Sequence, residues 1–69
     1  MKYAVIAVTD GNFNVHTEGF TDNPNAAKVN YHDYCEALWN DAGTTRATVA
    51  IVDENLDVLE GKYKEAIIK

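Results

Sequence analysis

Basic residues, cysteine, proline and long apolar runs are all scarce in this chain. Six Lys and Arg stand against eleven Asp and Glu, for a net charge of −5. The field around such a molecule repels nucleic-acid phosphates. Direct DNA or RNA binding is therefore not expected, and a basic protein is the better partner. The single cysteine, Cys35, rules out an intramolecular disulfide and fits a reducing compartment. No apolar run approaches the ~20 residues of a membrane span. The apolar start Tyr3 to Val8 stops at Thr9-Asp10, with no small-residue cleavage site after a long enough stretch. It reads as a strand rather than a signal peptide, and the expected location is cytoplasmic, with no membrane partner. There is no Gly-rich phosphate loop, no nucleophile elbow and no HExxH. Internal repeats, low-complexity segments and linkers are also missing.

Symmetry around one helix is the strongest feature that is present. With 69 residues the chain reads as one domain, residues 1–69. At this size it holds about 3–10 kcal/mol of stability. Hydrophobic residues make up 46% and charged residues 25%, as in ordinary globular domains. Tyr3 to Val8 is nearly all apolar and predicts a strand central in a sheet. Asp10-Gly11 is a hairpin turn signal. Phe13, Val15 and Thr17 then alternate with Asn14, His16 and Glu18, which predicts a strand with one wet face. Gly19 ends or bends that strand, and Phe20 is expected to tuck under the helix.

The helix is expected over about Asn25 to Asp41. Asn23 suits the N-cap and Pro24 the first helical position, where a missing N–H costs nothing. Ala27, Tyr31, Tyr34, Cys35, Leu38 and Ala42 fall in steps of three and four on one stripe, with Trp39 at its edge. Gly43 stands where a left-handed C-terminal cap belongs. Thr44 to Val52 predicts a third strand. In it Ala47, Val49 and Ile51 face one way and Arg46, Thr48, Ala50 and Val52 the other. Asp53-Glu54-Asn55 is a polar turn. Leu56 to about Tyr63 predicts a fourth strand with Gly61 as a bulge, and Glu65 to Lys69 reads equally as strand or helical tail. The sum is an α+β domain, ββαββ, with a four-stranded antiparallel sheet and one helix packed on one face. The expected strand order is 2-1-4-3, with strands 2 and 3 at the edges.

Each candidate for chemistry has a plainer reading. Asp53, Asn55 and Asp57 match the first three ligand positions of a calcium loop. Val58 stands where its glycine is required and Lys64 where its closing Glu is required, so a hairpin turn is the better reading. His32 and Cys35, three apart on the helix, are two ligands where zinc needs three or four. Cys35 lies on the core stripe, where cysteine behaves as a small apolar residue. The aromatic residues Tyr3, Phe13, Phe20, Tyr31, Tyr34, Trp39 and Tyr63 read mainly as core area. Paired carboxylates at Asp53/Asp57 and Asp33/Glu36 carry no sign of a shared cleft. No catalytic, cofactor-binding or metal-ligating residue is assigned. The candidate interaction surface is Val29, His32, Glu36 and Trp39, where Trp39 stands out because Trp is a common interface anchor.

Three stretches, Tyr31-His32-Asp33-Tyr34-Cys35-Glu36-Ala37-Leu38-Trp39, Ala47-Thr48-Val49-Ala50-Ile51-Val52-Asp53 and Leu56-Asp57-Val58-Leu59-Glu60-Gly61, resemble small uncharacterised single-domain bacterial proteins. The resemblance covers the C-terminal two-thirds of the chain. It implies a stand-alone bacterial domain and brings no activity with it. The expected function is a small non-enzymatic protein-interaction module that self-associates through strand 2 or 3, or pairs such an edge with a partner. The alternatives are an acidic decoy that occupies a basic nucleic-acid-binding protein, and a small ligand-binding or enzymatic domain using His32, Cys35 or Asp53.

Overall fold

Strand β1 (Tyr3–Thr9) turns through Asp10-Gly11 into β2 (Asn12–Val15). Helix α1 (Pro24–Asn40) follows, then β3 (Arg46–Asp53), a short 3₁₀ turn at Leu59–Gly61, and β4 (Lys64–Ile68). These elements come from a computed structural model that describes residues 1–69. The four strands form one antiparallel sheet with α1 across one face. No helix is long and apolar enough to cross a membrane.

Local chemistry sets the element ends. Asp10 and Gly11 have φ of 48° and 87°. Positive φ at both central residues is what a two-residue type I′ hairpin needs, and Asp-Gly is among the pairs that supply it. The resulting register sets Thr9 against Asn12 and Val8 against Phe13. The helix begins as expected: the Asn23 side-chain Oδ1 accepts from the backbone N–H of Asn25 at 2.9 Å and of Ala26 at 3.3 Å, with Pro24 next in the chain. Its far end departs from expectation. Gly43 has no left-handed φ, and Asp41 is the cap in extended geometry. The Asp41 carboxylate accepts from Gly43 N–H at 2.9 Å and from the Thr44 hydroxyl at 3.0 Å. The helix has no basic residue in its last turn. Lys69 supplies that cation from beyond β4, its ammonium donating to the Leu38 and Asp41 carbonyls at 2.6 and 2.5 Å.

The core lies between helix and sheet. Ala27, Tyr31, Cys35 and Leu38 of α1 meet Val5 and Ala7 of β1, Ala47, Val49 and Ile51 of β3, and Ile67 of β4. Tyr34 packs on this cluster half-buried, whereas Ala42 lies beyond the helix and is exposed. Phe20 is not tucked under the helix but 52% exposed. The bridge between Tyr3 and Thr21 fixes that segment's register, and Tyr3 packs against the core instead.

Two expectations about the sheet are corrected. The strand order is β2-β1-β3-β4, not 2-1-4-3, so the edges are β2 and β4. Burial explains the order. Ala47 and Val49 to Val52 are all buried, on both faces of β3, and a strand buried on both faces belongs inside a sheet. β4 opens with Lys64-Glu65, charges that an edge tolerates. The fourth strand also lies later than Leu56 to Tyr63. Val58 makes only a bridge to Val52, after which Glu60 and Gly61, at φ 51° and 65°, wind the chain out of extended geometry. The segment from Lys64 to Ile68 is the strand.

Candidate functional site

Alternation along each strand assigns every sheet residue to a face. Val5, Ala7, Ala47, Val49, Ile51 and Ile67 lie under the helix. The residues between them point to the opposite face, where Ala4, Ala50 and Val52 are buried and the exposed side chains lie toward β2 and the end of β4. Two rows cross that face from β2 to β4. One runs Phe13, Val8, Thr48, Ala66, and the other Val15, Ile6, Ala50, Lys64. Phe13 is 61% exposed, Val15 48%, Val8 42%, and Ile68 at the β4 corner 61%. Four strands at about 4.8 Å spacing set the outer two about 14 Å apart. Phe13, Val15 and Val8 stand exposed side by side on β2 and β1, and Ile68 lies two strands from Val8 on β4.

Charge is partitioned between the two faces. The strands hold four charged residues: Arg46, Asp53, Lys64 and Glu65. By the same alternation both cations lie on the helix-free face and both carboxylates on the helix side. A molecule of net charge −5 thus turns toward solvent one sheet face whose only strand charges are positive.

The helix-side candidates are less reactive than their residue types suggest. Cys35 is buried, and its thiol pKa is pushed up to about 11 by burial and then by the nearby Glu65 carboxylate. A thiol held that high is protonated at neutral pH and is a poor nucleophile. Burial, followed by Cys35 and Glu65, likewise raises the Tyr31 phenol to about 12. His32 is exposed and meets the Tyr31 ring edge-on, centroids 5.3 Å apart. The Asp53 carboxylate holds its own turn together, accepting from Asn55 N–H at 2.7 Å and Asp57 N–H at 3.1 Å. No group of three or more His, Cys, Asp or Glu side chains comes close enough to hold a metal ion, and no pocket opens on the surface. No protein-family model, curated protein or solved structure matches this chain.

Val29, His32, Glu36 and Trp39, the surface expected from sequence, are all exposed. Trp39 is also anchored: its indole N–H donates to the Glu65 carboxylate at 2.9 Å. The Lys28 ammonium sits 5.2 Å from the Tyr63 ring centre, and Tyr31 meets Tyr63 at 5.9 Å. The row from Lys28 to Trp39 therefore overlooks the β4 side of the sheet. Tyr34 leans the opposite way, onto His16 beyond β2.

Sequence reasoning missed the helix-free face. The alternation along β2 predicts one wet face and so puts Phe13 and Val15 on the buried side, yet every residue of β2 is exposed. Val8 pairs with Phe13 and Ala7 with Asn14, so the asparagines share the helix side and the apolar pair faces away. A signal was available. A two-residue turn fixes which residues of β1 and β2 share a face. It does not say which face the helix covers.

Proposed function

We propose that this chain is a non-enzymatic protein-interaction module that binds an apolar, carboxylate-bearing segment of another protein across the helix-free face of its sheet. The observation that carries the reading is the pairing of exposed Phe13, Val15, Val8 and Ile68 with Arg46 and Lys64 on a face without strand carboxylates. The apolar rows supply buried area. The two cations select the sign of the partner and speed its approach. A sheet with one helix on one face completes a third layer when a partner covers the other.

The test is affinity capture with three baits: the wild-type chain, Phe13→Asp, and Val29→Asp on the outer helix face. A protein held by wild type and Val29→Asp, lost with Phe13→Asp, and released progressively by salt is the expected result. Proteins retained equally by all three baits would refute the reading.

A further inference from the structure

The geometry points to a second docking surface, the β4 edge, which borders the helix-free face at Lys64 and Ile68. We propose that the chain pairs with a second copy of itself, edge to edge, through β4 antiparallel to β4 about a two-fold axis at Ala66.

The hydrogen-bond pattern of β4 selects the register. Tyr63 C=O accepts from Ile51 N–H at 2.8 Å, and Lys69 N–H donates to Thr45 C=O at 3.0 Å. Between them the register runs Glu65 against Val49 and Ile67 against Ala47. In an antiparallel ladder alternate residues bond inward, so Lys64, Ala66 and Ile68 turn their main-chain groups away from the sheet. Lys64 N–H is already bonded to Lys62 C=O at 3.0 Å. The N–H groups of Ala66 and Ile68 and the carbonyls of Lys64 and Ala66 remain available. An axis at Ala66 matches these groups to themselves. Ala66 N–H meets the partner's Ala66 carbonyl, and Ile68 N–H meets the partner's Lys64 carbonyl, each contact occurring twice. On the helix-free face the Lys64 stem then lies beside the partner's Ile68, which is 61% exposed in the single chain. Ala66 on the axis is small enough for both backbones to approach.

The helix row completes the interface. Trp39 is the chain's only tryptophan and is 47% exposed. Its indole N–H is fastened to Glu65, the residue next to the axis. Two-fold symmetry therefore brings both Trp39 rings to the one junction, with His32 and Lys28 of each copy further along the same row. The other edge, β2, has only four residues, and the residue of α1 that leans toward its end is Tyr34, which is half-buried. One feature opposes pairing: the two Glu65 residues stand diagonally across the junction, about 7–8 Å apart. Salt screens that repulsion, so association strengthens as salt is added. A five-residue edge makes a small interface, and such interfaces dissociate readily.

Sedimentation equilibrium of the full chain between about 10 μM and 1 mM tests the proposal, with and without added salt. The expected result is a shift from 7.6 kDa toward twice that mass with concentration, larger in salt. The Trp39 emission should move to the blue in parallel. Ala66→Pro removes an outward N–H that bonds nothing inside the single chain, so it should fold and stay monomeric. Amide exchange supplies a measurement without a variant: Ala66 and Ile68 should be protected at high concentration and exchange freely at low. Wild type that stays monomeric up to 1 mM overturns the proposal. So does a dimer in which those two amides remain unprotected, or one that survives Ala66→Pro. A dimer abolished by Phe13→Asp but not by Ala66→Pro would place the contact on the helix-free face instead.

Discussion

At the residue scale, Asp10 does more than form a turn. Its carboxylate accepts from the Thr45 hydroxyl at 2.7 Å and the Arg46 N–H at 3.1 Å, fastening the first hairpin to the start of β3. The Thr45 hydroxyl first, and the Arg46 N–H second, hold its pKa below the usual 3.8. Asp41 is lowered in the same direction by the Gly43 N–H and then the Thr44 hydroxyl. A carboxyl whose folded pKa is depressed contributes stability that is fully present above its unfolded value. That contribution is lost as pH falls through the folded value. Thermal unfolding of wild type and Asp10→Asn at several pH values should therefore show a gap near neutrality that closes on acidification below 3.8. A gap of constant size would mean that the carboxylate's charge does not matter. The reading of Cys35 as a core residue follows from its neighbours alone: an apolar stripe at helical spacing buries a small thiol whatever else surrounds it.

At the element scale, α1 owes its start to one side chain. Asn23 caps two N–H groups that would otherwise be unsatisfied. Asn23→Ala should cost about 1 kcal/mol, which in a domain of this size lowers Tm by about 4–8 °C, read by circular dichroism. The start of α1 was legible in Asn23-Pro24 because capping is chemistry between near neighbours. Its end was not, because Asp41 and Lys69, rather than Gly43, satisfy the last carbonyls, and Lys69 arrives from the far end of the chain. β4 shows the same limit. Leu56 to Tyr63 carries strand-forming residues, but positive φ at Leu56, Glu60 and Gly61 interrupts it, and pairing with β3 makes Lys64 to Ile68 the strand.

At the scale of the whole molecule, β3 carries the fold. Ile51 and Val49 are fully enclosed between helix and sheet. Ile51→Ala leaves a cavity there and should cost about 2–5 kcal/mol. Set against a total of about 3–10 kcal/mol for a chain of this length, that is a large share of the whole stability. Urea denaturation should show a lower midpoint with an unchanged slope. The helix-free face lies outside this core, so Phe13→Asp should leave the midpoint nearly unchanged while it abolishes partner binding.

The amino-acid order by itself determined what near neighbours decide: the Asp10-Gly11 hairpin, the Asn23 cap, the period of α1, the inward and outward residues of β3, and the α+β class with one helix on one face. Tertiary structure alone decided which strands are interior and which side of the sheet the helix covers. Both faces of β1 are apolar from Ala4 to Val8, so either face suits a helix. The choice falls to Val5 and Ala7, which meet the core formed jointly by α1, β3 and β4. With that choice made, a two-residue turn sends Phe13 and Val15 to the opposite side. The surface proposed here to bind a partner thus follows from a register and a packing decision, neither of which a short window of sequence contains.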